Sequence, residues 1–206
     1  CVEAMKASAG KIPVTVKSRI GVDDQNPDEV LPEFITKVAN SGCNVFIIHA
    51  RKALLGGLSP KENRIIPPLQ YPLVYEMQNK FPELDIILNG GLTELKEIKS
   101  VLQNPLSGVM IGREAYENPS ILLKVDNEIF DQKEKIRSMK DAIRNMIEYC
   151  NREKAEGTAI KGILKHLKGA FKGRANSKEF KRVLFCNETT VSVKLERLSN
   201  LVAMYC

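Results

Sequence analysis

Residues 85–91 read Asp-Ile-Ile-Leu-Asn-Gly-Gly, and residues 93–102 then carry Leu95, Ile98 and Leu102 at helical steps. A short apolar run rich in β-branched residues suits a strand buried on both faces. The glycines close the strand, and Thr93 supplies an N-cap with Lys96 three residues on in place of a capping-box Glu. Three other segments repeat this pattern: residues 13–19 (PVTVKSR), 45–50 (VFIIHA) and 108–112 (GVMIG). Between them, residues 31–41 carry Leu31, Phe34, Ile35 and Val38 on one helical face, and residues 72–80 form a helix opened by Pro72. Alternating strands and helices predict an α/β fold with a parallel sheet. Each run ends in polar or glycine residues. Strand C-termini carry the chemistry in a barrel of eight βα units, and an open doubly wound sheet places ligands similarly. Four βα units amount to half such a barrel.

The pattern changes after Asn118-Pro119. Residues 120–130 read as helix. Ile136, Met139, Ile143, Met146, Ile147 and Cys150 then form a stripe at three- and four-residue steps. Residues 159–171, 177–185 and 191–204 are predicted as further helices. The expected division is a sheet domain over residues 1–130 and an all-helical domain over residues 131–206.

Charge follows the same division. Residues 1–130 hold 14 Lys and Arg against 16 Asp and Glu, whereas residues 131–206 hold 17 against 9. A basic segment of this kind suits a polyanion, or is merely a solvated helix face. The chain is 43% hydrophobic and 27% charged, which excludes a disordered or low-complexity polymer. Apolar runs such as residues 45–48 are far below the roughly 20 residues of a membrane helix. Five cysteines without CxxC spacing predict reduced thiols in a reducing compartment, cytoplasmic or organellar, and no metal site. The chain starts at Cys1 in helical sequence, without a signal peptide, as expected of a piece beginning inside a longer protein.

Asn89-Gly90-Gly91 and Gly112-Arg113 end successive strands. Glycine amides and an arginine at adjacent strand ends suit a phosphate group. Lys17 and Arg19 share a strand face; a cation there either stabilises an anionic ring or extends to solvent. His49 and Arg51 follow an apolar run, His49 being either a ligand contact or a core residue. Residues 51–68 make a long loop bearing Arg51, Lys52, Lys61 and Arg64 against one acid, Glu62. A flexible basic loop of this kind suits a nucleotide or RNA.

The segments VTVKSRIG (14–21), FIIHARKALLGGLSPKENRIIPP (46–68), ILNGGL (87–92) and GVMIGREAYENP (108–119) resemble the tRNA-dihydrouridine synthases. HARKA and GLSPKENR are particularly similar to the A-type group, which acts around positions 20 and 20a of the D-loop. The likeness continues through HLKGAFKG (166–173) and KEFKRVL (178–184), and is not visible beyond Cys186. It implies the C-terminal half of an FMN-binding TIM barrel followed by a helical tRNA-binding domain. It also implies reduction of a tRNA uridine with NADPH as reductant. By motif, Lys17, His49, Asn89, Gly90, Gly91, Gly112 and Arg113 are implied to hold FMN. Arg51 is implied to meet the uracil, with Lys61, Arg64, Lys178 and Lys181 on the tRNA. The cysteine that protonates the base in this family belongs to a loop upstream of residue 1, so no catalytic residue is assigned here and the fragment is expected to be inactive alone. Two alternatives stand beside this reading. One is another FMN barrel oxidoreductase acting on a small pyrimidine such as dihydroorotate; the other is a non-catalytic RNA-binding remnant. A monomer is expected of the full-length protein.

Overall fold

The computed structural model describes residues 1–133, 138–175, 177–186 and 190–204. Ile136 and Cys206, both singled out above, lie outside the described residues. The chain divides into two compact units, residues 1–112 and 113–206.

The first unit runs α1 (Val2–Ala9), β1 (Thr15–Arg19), α2 (Pro27–Asn40), β2 (Val45–His49), α3 (Tyr71–Lys80), β3 (Asp85–Asn89), α4 (Leu95–Val101) and β4 (Gly108–Met110). Its four strands are all parallel, in the order β1-β2-β3-β4. Right-handed crossovers between successive neighbours put every connecting helix on the same side of the sheet. A doubly wound sheet instead reverses its order at a switch point. The winding among these four strands is that of a barrel segment, with no reversal of order.

Register assigns the two faces. Phe46 pairs with Ile86 and Ile48 with Leu88, and all four are fully buried. With Leu31 and Ile35 of α2, Leu73, Val74 and Met77 of α3, and Ile98 and Val101 of α4, they make up this unit's core. Residues one step along the strands point to the opposite face. There Lys17, Ile47, His49, Ile87 and Asn89 all keep contact with solvent.

Gln78 is a polar peg in this core. Its amide donates to the carbonyls of Phe81 and Leu84 at 3.3 and 2.8 Å. Its oxygen accepts from the Ile86 N–H at 3.1 Å and from Ser107 Oγ at 3.3 Å. One side chain thus ties α3 to β3 and to the approach to β4.

Two helix details differ from the sequence expectation. In α2, Phe34 is 39% exposed, because Leu31 and Ile35 take the inward face. In α4 the cap is Glu94, one residue beyond the expected Thr93. Glu97 Oε2 then accepts from the Glu94 and Thr93 N–H groups at 3.2 and 3.0 Å. The later start moves Glu97 to the position where a carboxylate satisfies first-turn amides.

The second unit begins with α5 (Arg113–Glu117), a 3-10 segment (Pro119–Lys124) and α6 (Val125–Glu128). It continues with α7 (Met139–Ala155), α8 (Ile160–Leu164), α9 (Ser177–Phe185) and α10 (Val191–Met204). Met139, Ile143, Ile147 and Cys150 of the expected stripe are buried with Leu164, Phe180, Leu184, Leu198 and Val202, and Met146 packs against them partly exposed. Phe171 meets Phe180 edge to face at 4.8 Å. Residues 120–130 form a 3-10 segment and α6 in place of one helix. Residues 159–171 likewise form α8 and a 3-10 stretch, Lys165–Gly169. The 3-10 stretch ends in a close approach: a Cβ on Gly169 would stand 2.5 Å from the Tyr116 carbonyl oxygen and 2.6 Å from that of Glu117. That packing, with Leu123 against the helical core, is why the compact unit starts at residue 113 and not where the helical periodicity starts.

Candidate functional site

Strand register brings the expected residues of the first unit together. Arg19, His49, Asn89 and Met110 form one rung across all four strands. Neighbouring strands are spaced about 4.8 Å apart. Lys17 stands two residues earlier on the same face. The strand C-termini thus present a lysine, an arginine, an imidazole and a carboxamide in a row.

The turn after β3 is built around His49. Gly90 and Gly91 have φ of 116° and 73°, a region that side chains rarely adopt. A Cβ on Gly90 would lie 2.7 Å from His49 Cδ2, and one on Gly91 2.6 Å from Leu69 Cδ1. The paired glycines therefore admit the imidazole and Leu69 against the main chain. Tyr71 Oη donates to the Gly90 carbonyl at 2.6 Å, and Asn89 Nδ2 donates to the Met110 carbonyl at 2.7 Å. Gly112 closes this unit with open space around its Cα, and Arg113 opens α5.

The loop of residues 51–68 is braced, not loose as its length suggests. Val22 pairs with Ala53 in a parallel bridge. Asp23 Oδ1 accepts from the Leu55 N–H at 2.7 Å. Arg19 Nη1 donates to the carbonyls of Lys52 and Asn63 at 2.7 and 2.8 Å. Arg51 Nη1 donates to the Pro67 carbonyl, and Arg64 Nε to that of Pro60 at 2.7 Å. Lys61 and Arg64 are exposed on the outer part of the loop, beside the 3-10 turn Glu62–Arg64.

These cations crowd one another. Burial, then the neighbouring Arg19, hold the Lys17 ammonium below the usual lysine range. Burial, then Arg51 and Arg64, lower Arg19 likewise. Burial and the Glu97 and Tyr75 side chains push the Tyr71 hydroxyl up, with Arg51 opposing. A set of like charges that depress one another's basicity favours an anion.

A cleft of about 380 Å³ lies beside β1, lined by Ser18, Ile20, Phe34 and Lys37 among others. Ser18 and Ile20 belong to the opposite strand face from Lys17, but Arg19 also lines the cleft, which therefore borders the cationic row.

In the second unit, Lys178 is exposed and Lys181 half-buried on α9, three residues apart. Lys165 and Lys168 are exposed on the 3-10 stretch, whereas Lys172 is paired with Glu114 at 3.4 Å. Cys43 and Cys150 are buried, Cys1 is exposed and Cys186 half-buried; all four are free thiols, and none is on the strand-end rung. Among the described residues there is no cluster of metal-ligating side chains, and no helix is long and apolar enough to cross a membrane.

The sequence profile of the dihydrouridine synthases matches residues 1–204. The chain belongs to the dihydrouridine synthase family. It is 49% identical over 185 residues to the tRNA-dihydrouridine(20/20a) synthase of Escherichia coli strain K12, covering 89% of this chain and 53% of that one. It is 45% identical over 204 residues to the enzyme of the same name from Vibrio cholerae, covering 98% and 62%. The chain spans a little over half the length of these curated relatives. A solved structure of mandelate oxidase superposes with TM-score 0.43 at 11% identity, over 71% of this chain and 55% of that one. The family match meets the resemblance read from HARKA and GLSPKENR. It also corrects one expectation, since it continues past Cys186 to residue 204. Sequence reasoning missed the chain's internal supports: Asp23, Asn63 and Tyr71, and the bracing role of Arg19. Their partners are mainly backbone groups, which leave no mark in sequence spacing.

Proposed function

We propose that this chain is part of an enzyme that reduces uridine in the D-loop of tRNA to 5,6-dihydrouridine, with FMN bound at the strand ends. The observation that carries the reading is the His49–Asn89 pair at the strand ends, with Lys17 on the same face and a cationic loop braced by Arg19 beside them.

The residues present fit the cofactor. A ring that gains negative charge on reduction needs a fixed cation, and Lys17 is one whose ammonium is already disfavoured by its surroundings. Gly90 and Gly91 expose main chain beside His49, and Gly112 leaves its surroundings open for a phosphate. By family resemblance Arg113 is a further phosphate partner. When bound, FMN recharged by NADPH supplies the hydride that reaches C6 of the uracil.

The chain's own residues bind and orient. Lys17 and His49 would fix the ring's edge, and Asn89, held by Met110, would keep its carboxamide in place. Arg51, anchored on the Pro67 carbonyl, would meet the uracil, as the family resemblance implies. Lys61 and Arg64 would hold RNA phosphates, as would Lys178 and Lys181 in the helical unit. By family resemblance the C5 proton would come from a cysteine on a loop outside these 206 residues.

The test is FMN affinity of the full-length protein that carries this chain, followed by fluorescence. Lys17→Met is expected to weaken FMN by about 1.5–3 kcal/mol, the worth of a hydrogen bond to a charged group. Unchanged affinity would refute the assignment. Binding of a small pyrimidine acid without any tRNA affinity would support the dihydroorotate-type alternative.

A further inference from the structure

We propose that Arg19 is a positioning residue. With Asn63 it locks the 51–68 loop against the end of β1, so that Lys61 and Arg64 are ordered before RNA phosphates arrive. The inference rests on the reading of those two cations as RNA contacts.

Arg19 is the last residue of β1. One of its terminal nitrogens donates to two carbonyls, Lys52 at 2.7 Å and Asn63 at 2.8 Å. The first lies where the loop leaves β2 and the second lies in its outer 3-10 turn. A single guanidinium thus pins both the root and the far turn of the loop. Asn63 closes the same excursion from within. Its Oδ1 accepts from the Leu54 N–H at 2.8 Å, and its Nδ2 donates to the Leu54 carbonyl at 2.5 Å. The result is an Ω-type loop whose ends are clasped. Lys61 and Arg64 flank Asn63 in sequence, so holding Asn63 holds them.

The geometry separates this role from direct RNA contact. Arg19 is half-buried, whereas Lys61 and Arg64 are exposed. Its donors point into the loop's main chain. A lysine at position 19 would keep the positive charge, but its side chain ends one atom short of the Nη1 that serves both carbonyls, on a more flexible stem. Preordering matters because immobilising rotamer-rich side chains and loops on binding costs affinity.

The experiment compares tRNA binding and turnover in the full-length protein for wild type, Arg19→Lys, Asn63→Ala, Lys61→Ala/Arg64→Ala, and each brace variant in that double background. Arg19→Lys and Asn63→Ala are each expected to raise Kd and KM for tRNA on the order of tenfold, with kcat within about twofold. In the Lys61→Ala/Arg64→Ala background the same changes are expected to have no further effect, because the brace acts through those cations. A merely structural role gives additive losses, which would overturn the proposal, as would wild-type affinity in Arg19→Lys. Hydrogen exchange at residues 54–63 reads the brace independently of RNA. Faster exchange in Arg19→Lys supports it, and unchanged exchange overturns it. If Lys61→Ala/Arg64→Ala binds tRNA like wild type while exchange still quickens, the RNA reading of the loop has failed and the positioning role falls with it.

Discussion

The two faces of the four-stranded sheet come from the same strands, read at odd and even positions. On one face Phe46, Ile48, Ile86 and Leu88 are wholly buried. On the other, Lys17, Arg19, His49 and Asn89 line up with polar groups toward the strand ends. A period of two thus divides stability from chemistry within a few residues. Loss of volume on the helix-side face costs stability, whereas the other face carries charges that the fold alone does not favour.

The sharpest way to break this contrast is Phe46→Ala. It removes a fully buried aromatic side chain and is expected to cost about 3–5 kcal/mol in urea denaturation. A loss below about 1 kcal/mol would mean that the assignment of faces is wrong. Gln78→Ala comes next. It leaves the Ile86 N–H and the Leu84 carbonyl without their partner, at roughly 1–3 kcal/mol for each buried group. Equal stability of mutant and wild type would show that the peg is dispensable.

Gly90→Ala tests the border between the two faces. The added Cβ meets His49 at 2.7 Å and φ is 116°, so about 1–3 kcal/mol of strain is expected, together with displacement of the imidazole. Weakened FMN binding beyond the loss of stability would mark His49 as a ring contact. FMN affinity equal to wild type would remove it from the site.

The smallest effect belongs to Lys17→Met without ligand. The folded state lowers the Lys17 pKa below its unfolded value of about 10.5, so the charged lysine is a cost to the fold. That cost is fully present below the folded pKa and is relieved as pH rises towards 10.5. Lys17→Met should therefore be slightly more stable than wild type at pH 7, the difference narrowing in alkali. Lower stability at pH 7 would reverse the sign and remove the charge crowding from the argument.

Much of this was legible in the sequence, for identifiable reasons. The four strands are short apolar runs closed by polar residues, and Lys17, His49 and Asn89 were visible because they end or punctuate those runs. Barrel-type winding was legible only through the family resemblance, since periodicity carries no strand order. The bracing of residues 51–68 was hidden because Arg19, Asn63 and Tyr71 act largely on main-chain carbonyls. The close approach of Gly169 to the main chain of residues 116–117 is a tertiary contact, which helical spacing does not record. The helix start at Leu95 moved because Glu97, not Thr93, satisfies the first amides.

The most direct measurement is the dihydrouridine content of an unmodified tRNA incubated with the full-length protein, FMN and NADPH, comparing wild type with Lys17→Met and Ile48→Val. Ile48→Val shaves one methylene from the helix-side face, at about 0.5–1.5 kcal/mol of stability. Dihydrouridine formed by wild type and Ile48→Val, and sharply reduced with Lys17→Met, is the predicted result. No dihydrouridine with wild type, or equal amounts with Lys17→Met, would contradict the division of the sheet into a face that holds the fold and a face that does the chemistry.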